Sequence, residues 1–559
     1  MKKFTLLSFA LGLFLSSAPT CTGQLPDNTD EYDVYIVDFF DGQEAAGTAY
    51  LKELEAENEI ILETVLTSLG DAIIKAPESV VTEIRAQTMV KVAEKDTPME
   101  VLNIEDNGGE RRRLRRRDRN LSVTTTNNAI GSTNAQLIPN IDTAPGNKSW
   151  KKICLVDSGY DITNTHLPTL VDDDNDTNGY SPHGWDEKWS NDPIGHGTRM
   201  ASLLAGKGDN NSIKGIMNVG RAVDFDNFFI AKALKEDGTT TTAQVIDAMN
   251  KCEENEAKVI ILSVTTTTFS QAFKDAVQTL FVEKDCLLFA PTGDQGNSDY
   301  LYPAAYEHVI SVGAVDDDKA AADFSQHNDQ NEIMAPGVKL DTMLTFGSEE
   351  YLTGTSVAVP FVAGSAALIW SFFDLCKPMQ IRYALANTAN REVFEDDYGD
   401  CGTHMGHGIV DAKAAYDYLN THPCTGDDSL TKWNAEYRAN TIVESGNCFG
   451  TVVQPSTTSP GLSSSSFTSS SSTSSQQSST STEGCESWCS IATVPWKPAS
   501  AGALAKCDWT GYCDKCSECT CKSWCSAIPE TDIPWNATST GGLSKCGTFE
   551  SFCGGCEEC

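Results

Sequence analysis

A serine between a glycine and a long apolar segment restricts the fold more than any other part of this chain. Residues 354–360 read Gly-Thr-Ser-Val-Ala-Val-Pro, and residues 361–370 are almost all apolar. This pattern predicts a buried helix that begins beside Ser356. The first N–H groups of a helix have no intrahelical partner and carry partial positive charge, so they stabilise an oxyanion that forms next to them. Ser356 is therefore a candidate nucleophile.

A histidine and an aspartate upstream supply the groups that a serine nucleophile needs. His196 lies in Gly-His-Gly-Thr at residues 195–198 and opens a second apolar helix. Asp157 follows the apolar run Ile-Cys-Leu-Val, which predicts a buried strand. A serine hydroxyl needs a base to accept its proton, and a carboxylate can orient that base. The candidate catalytic residues thus occur in the order Asp157, His196, Ser356.

This order, with the acid at a strand end and the other two residues at helix starts, resembles the subtilisin family of serine proteases. Residues 302–315, 334–338 and 406–412 also resemble subtilisin segments, so the resemblance covers about residues 135–415. It implies an α/β fold, with a subtilisin-like parallel sheet flanked by helices. It also implies a serine endopeptidase that hydrolyses peptide bonds through a Ser-His-Asp triad and an acyl-enzyme.

Short apolar runs agree with that fold. The runs at residues 153–156, 259–262, 287–290 and 309–312 are typical of parallel strands that are buried on both faces. Helices are predicted at residues 243–251 and 270–283, where they would cover the sheet. The catalytic residues then fall at the ends of strands.

The position of the oxyanion hole departs from the family pattern. The resemblance implies an asparagine amide where this chain has Asp294, and an ionised carboxylate cannot donate a hydrogen bond. Two alternatives stay open. Either Asp294 keeps a proton in a dry site and donates, with activity strongest at acid pH, or it is ionised and the N–H of Ser356 binds the oxyanion alone. Asn297 is a less favoured substitute donor.

The predicted substrate-binding wall also departs from the family pattern. After the strand at residues 259–262 the family pattern has Ser-Leu-Gly-Gly, whereas this chain has Ser263, Val264 and Thr265, followed by another threonine. Threonine side chains leave less space at this wall than glycines do, so we predict a preference for small or kinked substrate side chains.

An acidic loop is the candidate metal site. Residues 172–176 read Asp-Asp-Asp-Asn-Asp but fail the EF-hand spacing, and residues 209–213 resemble a subtilisin calcium loop. The sequence predicts structural calcium bound by Asp172, Asp174, Asp176 and Asn211. The alternative is a solvated acidic loop.

The N-terminal sequence indicates that the chain is exported and that it carries its own inhibitory segment. Residues 1–23 read as a secretory signal peptide, with two lysines before an apolar stretch, and no later segment reaches about 20 uninterrupted apolar residues. We therefore predict a secreted, extracellular protein without a membrane span. Residues 32–103 resemble the inhibitor-type propeptide of subtilisins, which implies a zymogen. Arginine-rich residues 104–119 predict a processing linker between this propeptide and a catalytic domain at residues 120–420.

The C-terminal sequence predicts a tethered tail. An extension at residues 421–454 precedes a Ser/Thr-rich linker at residues 455–484, which is too poor in apolar groups to fold. Two cysteine-rich repeats follow, at residues 485–519 and 521–559. Each has six cysteines and no histidine, which favours disulfides over zinc. Their tryptophans are either a platform for a glycan or protein partner, for example at a cell wall, or the core of the repeat.

The cysteine count also bears on the catalytic domain. A secreted chain with twenty cysteines is expected to form disulfides, and its five Asn-x-Ser/Thr sequons predict a glycoprotein. Seven cysteines lie between the signal region and the linker, so one lacks an internal partner. Cys154, in a core strand, is predicted to be that unpaired thiol.

Net charge restricts the partners. With 41 basic and 78 acidic residues the chain carries −37, which argues against nucleic acid as a partner. The expected partners are protein or peptide substrates and the chain's own propeptide, and a monomer is expected. The alternative function is a catalytically weakened subtilisin-like scaffold that binds a surface or partner through its tail. Asp294 and Thr265 favour this alternative, and the intact triad opposes it.

Overall fold

The computed structural model describes residues 32–102, 126–139, 150–172, 177–182, 187–208, 213–218, 227–343, 349–391 and 401–424. The chain divides into two units, Met1–Pro455 and Ser456–Cys559, and all the described residues belong to the first. The predicted signal peptide, the basic linker, the extension from residue 425 onward, the Ser/Thr-rich linker and both cysteine-rich repeats lie outside the described residues and stay predictions.

The described residues form sixteen strands and ten α-helices, numbered here in chain order. The strands are β1 (Asp33–Phe39), β2 (Ile61–Leu66), β3 (Asp71–Ala76), β4 (Val90–Lys95), β5 (Pro98–Val101), β6 (Ile153–Asp157), β7 (Gly179–Tyr180), β8 (Phe228–Lys232), β9 (Thr239–Thr241), β10 (Val259–Leu262), β11 (Val264–Thr265), β12 (Leu287–Pro291), β13 (Val309–Val315), β14 (Ile333–Pro336), β15 (Leu340–Met343) and β16 (Glu349–Leu352). The helices are α1 (Glu44–Ala56), α2 (Glu78–Arg85), α3 (Thr126–Ser132), α4 (His196–Ala205), α5 (Thr242–Glu254), α6 (Gln271–Val282), α7 (Thr355–Phe372), α8 (Pro378–Asn387), α9 (Cys401–Met405) and α10 (Ala412–Thr421).

A parallel sheet of seven strands forms the centre of the fold, in the order β14-β13-β12-β10-β6-β8-β7. Its five inner strands, from β13 to β8, are buried along their whole length, as their continuous apolar runs predict. The predicted α/β class and parallel sheet are confirmed. Strand β8 was not among the four predicted strands. It ends in Lys232, whose buried Nζ donates to the carbonyl of Asn191 at 3.1 Å.

Helix α7 crosses the core beside this sheet and packs on strands β12, β13 and β14 and on helix α4. It is the one helix among the described residues that is long and apolar enough to cross a membrane, and 94% of it is buried inside the protein. A core helix of a folded domain passes the same test of length and composition, so burial accounts for its apolar sequence.

The N-terminal sheet, β1 to β4, is antiparallel in the order β2-β3-β1-β4 and has two different faces. Side chains that alternate along a strand point to opposite faces. Tyr35 and Val37 pack in a core within this part of the chain, whereas Ile36 and Ile73 join the core of the parallel-sheet domain. Strand β5 then leaves this sheet and lies between β11 and β9, antiparallel to both.

Two disulfides correct the prediction for Cys154. Cys154 on β6 is bonded to Cys252 on α5, and Cys376 is bonded to Cys424. The prediction was wrong because a core strand can pair with a cysteine on the helix that covers it, and Cys252 is as buried as Cys154. Among the described residues the free thiol is Cys286, whose pKa burial raises to about 12.

Candidate active site

Asp157, His196 and Ser356 lie together at one edge of the parallel sheet. His196 Nδ1 lies 2.7 Å from Asp157 Oδ1 and 2.9 Å from Oδ2. His196 Nε2 lies 3.4 Å from Ser356 Oγ. The three residues are 0–2% exposed, so bulk water does not compete for these contacts. The structure thus brings all three predicted side chains into one hydrogen-bonded row.

The three side chains meet because each lies at the end of a strand or at the start of a helix. Asp157 is the last residue of β6, His196 is the first residue of α4, and Ser356 is the second residue of α7. Carboxyl ends of parallel strands meet at one edge of the sheet, and helices that begin there direct their unpaired N–H groups toward it. Side chains that are 39 and 160 residues apart in sequence therefore become neighbours.

A buried carboxylate that the sequence analysis missed fixes the start of α4. Asp192 Oδ1 accepts hydrogen bonds from Ser158 Oγ at 2.7 Å and from the N–H of Gly195 at 2.8 Å. Its Oδ2 accepts from the N–H and the hydroxyl of Thr198, at 2.8 and 2.6 Å. Asp192 thereby joins the end of β6 to the turn that carries His196. An aspartate four residues before a predicted helix is a capping signal that could have identified it.

Close backbone approach explains the glycine after the histidine. A Cβ on Gly197 would lie 2.2 Å from the carbonyl oxygen of Gly159 and 3.2 Å from the Cβ of Asp157. Real Cβ atoms do not come that close to a carbonyl, so only glycine lets α4 begin against the end of β6. This contact sets the separation between His196 and Asp157.

The Asp294 carboxylate is held by the first residue of α7. Its Oδ1 accepts from the N–H of Thr355 at 2.7 Å and from the Thr355 hydroxyl at 2.8 Å. Its Oδ2 lies 3.0 Å from the point that a Cβ on Gly354 would occupy, and Ser356 Oγ lies 3.4 Å from the same point. Oδ1 is therefore committed as an acceptor, and both Oδ2 and Ser356 Oγ lie close to Gly354.

The substitute donor considered in the sequence is engaged elsewhere. The Asn297 amide donates to Asp299 at 2.9 Å, and its oxygen accepts from Gln326 at 3.1 Å. These bonds hold Asn297 in its own loop.

The predicted substrate wall is covered by strand β5. Val264 and Thr265 pair with Val101 and Glu100, and the N–H of Ser263 donates to the carbonyl of Val156 at 3.1 Å. Ser263, Val264 and Thr265 are all buried in this arrangement. The wall therefore presents its backbone to an extended strand, which is the geometry in which a peptide adds to a sheet edge.

The described residues do not form the predicted calcium site. Asp174, Asp176 and Asn211 lie outside the described residues. Asp172 Oδ2 accepts from Ser190 Oγ at 2.8 Å and pairs with Lys188 Nζ at 3.3 Å. No group of three or more metal-binding side chains occurs in the part of the chain that the structure describes. Asp172 is therefore paired with an ammonium group, and the calcium site stays a prediction.

Comparison of the sequence with known proteins identifies a family and several relatives. A model of the subtilase family matches residues 149–412. Subtilisin DY of Bacillus licheniformis is 31% identical over 268 residues, which are 47% of this chain and 90% of that protein. A thermophilic serine proteinase of Bacillus sp. (strain AK1) is 30% identical over 272 residues, 48% of this chain and 62% of that protein. Halolysin of Haloferax mediterranei is 29% identical over 386 residues, 67% of this chain and 66% of that protein.

The matched residues include the whole row of Asp157, His196 and Ser356 and the sheet that carries it. The chain therefore belongs to the subtilase family and is a subtilisin-like serine endopeptidase.

Proposed function

We propose that this endopeptidase is secreted as a zymogen and hydrolyses peptide bonds with Ser356 as nucleophile, His196 as general base and Asp157 as the residue that orients His196. The observation that carries the proposal is the position of His196, whose two ring nitrogens contact Asp157 on one side and Ser356 on the other. Secretion is supported by the N-terminal apolar segment and by the two disulfides, which persist in oxidising compartments.

The catalytic cycle follows from this row. The Asp157 carboxylate accepts a hydrogen bond from the Nδ1–H of His196, which leaves the Nε2 lone pair directed at Ser356 Oγ. Ser356 Oγ attacks the peptide carbonyl while its proton passes to Nε2. His196 then gives this proton to the leaving amine, and a water molecule hydrolyses the acyl-enzyme by the same route.

The oxyanion site contains one backbone donor and one altered side chain. Ser356 is the second residue of α7, so its N–H has no partner within the helix and is available to a developing oxyanion. Asp294, whose carboxylate lies close to Gly354, replaces the side-chain donor of the family pattern. A proton on Oδ2 makes Asp294 a donor, and without it the carboxylate repels the oxyanion, so Asp294 adjusts turnover rather than enabling it.

Contacts of the N-terminal sheet support its role as an inhibitory propeptide. The Glu94 carboxylate caps the start of α6, where it accepts from Ser270 Oγ and from the N–H groups of Gln271 and Ala272, both at 3.1 Å. Asp96 Oδ1 accepts from the N–H of Ala243, near the start of α5, at 2.9 Å. Carboxylates stabilise helix N-termini, so these contacts attach the segment to two helices that cover the catalytic sheet.

A buried group of charges at this interface predicts pH-dependent release of the propeptide. Lys91 Nζ lies 3.2 Å from Asp38 Oδ2 and 3.1 Å from Asp275 Oδ2, so it joins β4 and β1 to α6. Burial raises the pKa of Asp38 to about 6, with Lys91 opposing the rise and Asp275 adding to it. Burial, followed by the charge of Asp38, also raises the pKa of Asp71.

The sign of the effect follows from these shifts. Because the pKa of Asp38 is higher in the complex than its ordinary value of 3.8, the complex is tightest below about pH 4 and weakens as the pH rises through about 6. After processing, we expect the fraction of propeptide retained on the enzyme in gel filtration to be lower at pH 7.5 than at pH 4.5. Asp38→Asn should reduce the difference in retention between the two pH values. A wild-type complex that loosens at acid pH instead would contradict this prediction.

The cysteine-rich tail supports a second candidate function, a weakened protease that serves as a scaffold for binding a surface. Asp294 favours it, because a carboxylate beside Ser356 opposes oxyanion formation. Labelling of the full chain with a fluorophosphonate probe between pH 4 and 9 distinguishes the two functions. We expect covalent labelling at Ser356 that His196→Ala abolishes, whereas a scaffold would remain unlabelled at every pH.

A further inference from the structure

The loop at residues 293–299, called here the Asp294 loop, is attached on one side to the start of α7. The N–H of Gly293 donates to Thr355 Oγ1 at 3.1 Å, and Asp294 Oδ1 accepts from both the N–H and the hydroxyl of Thr355. Thr355 is the first residue of α7 and directly precedes Ser356. The positions of the nucleophile and of its N–H therefore depend on where this loop lies.

A segment at residues 324–328 supports the opposite side of the Asp294 loop. Three backbone hydrogen bonds join the two: the N–H of Gly296 donates to the carbonyl of Phe324 at 2.7 Å, that of Gln326 to Gly293 at 3.0 Å, and that of His327 to Asn297 at 3.0 Å. The segment is itself attached to the parallel sheet, because Ser325 Oγ accepts from the N–H of Ala314 on β13 at 3.1 Å. The loop thus lies between α7 and a segment that the sheet supports.

The side chain of Gln326 contacts the Asp294 loop on both sides of Asp294. Its Nε2 donates to Asn297 Oδ1 at 3.1 Å and to the carbonyl of Asp299 at 2.7 Å, so both amide protons are used. Its Oε1 lies against Gly293, where a Cβ would overlap it. Gly293 has a φ of +119°, in the range that favours glycine.

The two ends of the Gln326 amide are in different surroundings. Gln326 is 1% exposed, and its Oε1 has no hydrogen-bond partner among the residues that the structure describes. A buried oxygen without a partner lowers stability. The amide oxygen therefore contributes nothing through hydrogen bonds, whereas both N–H groups hold the loop.

We propose that Gln326 is a positioning residue for peptide hydrolysis: it fixes the Asp294 loop, and this loop fixes Thr355 and the first turn of α7. The inference rests on the proposed function and adds a residue outside the triad that sets kcat. Gln326 acts through the loop and not on the reacting atoms. A small displacement of a nucleophile or an oxyanion donor lowers the rate steeply, because both must be aligned in the transition state.

Gln326→Glu tests this role with almost no change of shape. An ionised carboxylate would direct an acceptor oxygen at the Asn297 oxygen and the Asp299 carbonyl, and would repel the loop. At pH 8 we expect kcat for a peptide anilide to be at least about tenfold below that of the wild type. Burial favours the protonated carboxyl, which donates one hydrogen bond, so the ratio of variant to wild-type kcat should rise at least about threefold at pH 5.

Other titratable groups near Gln326 are present in both proteins. The Asp294 loop and the segment at residues 324–328 carry Asp294, Asp299 and His327, and the His327 ring stacks on His404 of α9 with centroids 4.1 Å apart. The two carboxylates further favour a protonated carboxyl at position 326. Because each ratio compares variant and wild type at one pH, titration of these shared groups and of the triad affects both enzymes.

Two further variants are the controls. Gln326→Met removes the same two donors without adding a titratable group, so its kcat should be low at both pH values with a constant ratio to the wild type. Gln330→Glu makes the same chemical change on an exposed side chain four residues later and should have wild-type kcat.

Wild-type kcat for Gln326→Glu at pH 8 would overturn the inference, and so would a deficit that is equal at pH 5 and pH 8, since a merely structural loss has no acid recovery. If Gln326→Glu does not fold, Asn297→Ala replaces it, because this change removes one acceptor of the Gln326 amide from the half-buried loop. We then expect kcat to fall about threefold, and wild-type kcat would refute the role. If the wild type neither hydrolyses the anilide nor reacts with the fluorophosphonate probe, the proposed function itself has failed.

Discussion

Ser356→Ala is expected to lower kcat for peptide hydrolysis by about six orders of magnitude, the loss typical of removing the serine of a subtilisin triad. The alanine leaves the contacts between His196 and Asp157 in place but removes the atom that forms the acyl-enzyme. The measurement is single-turnover hydrolysis of a peptide anilide by the purified full chain.

A second serine in the same helix provides the control. Ser365 on α7 is buried and donates to the carbonyl of Phe361 at 2.7 Å, so Ser365→Ala makes the same chemical change away from the reacting atoms. We expect Ser365→Ala to retain wild-type kcat. Comparable hydrolysis by the Ser356→Ala and Ser365→Ala enzymes would remove Ser356 from the mechanism.

Asp294→Asn is expected to raise kcat at neutral pH by tenfold or more. Thr355 fixes Oδ1 as an acceptor through two hydrogen bonds, so an asparagine in the same rotamer keeps its oxygen there and places its NH₂ at the Oδ2 position. A side-chain donor at a subtilisin oxyanion hole contributes about 10²–10³ in kcat. The measurement is kcat for the variant and the wild type from pH 4 to 9.

The pH profile separates the two states of Asp294. If Asp294 carries a proton at acid pH, the variant and the wild type converge there and diverge as the pH rises; if it is ionised throughout, their ratio stays constant. Asp299→Asn, a matched change of an exposed carboxylate in the same loop, should leave kcat unchanged. A tenfold fall in kcat for Asp294→Asn at neutral pH would show that the carboxylate assists the reaction as it stands.

The catalytic row and the sheet that carries it were predictable because local patterns specify them. Continuous apolar runs indicate parallel strands, and Asp157 and His196 stand at boundaries that the sequence marks with a change in polarity. Such boundaries also place the side chains in space, since the ends of parallel strands converge.

Other features depend on contacts between distant segments and have no local signal. The register that sets Val101 opposite Val264 results from strand pairing between the N-terminal segment and the catalytic domain, and these two residues are more than 160 positions apart in sequence. The Cys154–Cys252 bond likewise depends on how α5 packs on β6. The sequence marks Asp294 as unusual, but only the structure shows that its Oδ1 accepts two hydrogen bonds from Thr355.

Helix α7 also restricts how this chain can be exported. Its 18 residues are apolar enough to be held in a bilayer if they meet one before the domain has folded. Small and polar residues, including Gly364 and Ser365, keep the segment from being uniformly apolar. Gly364 cannot be enlarged within the fold, because a Cβ there would lie 2.3 Å from the side chain of Ile216. The close packing of the folded core therefore requires a glycine in a segment whose apolar length would otherwise suit a bilayer.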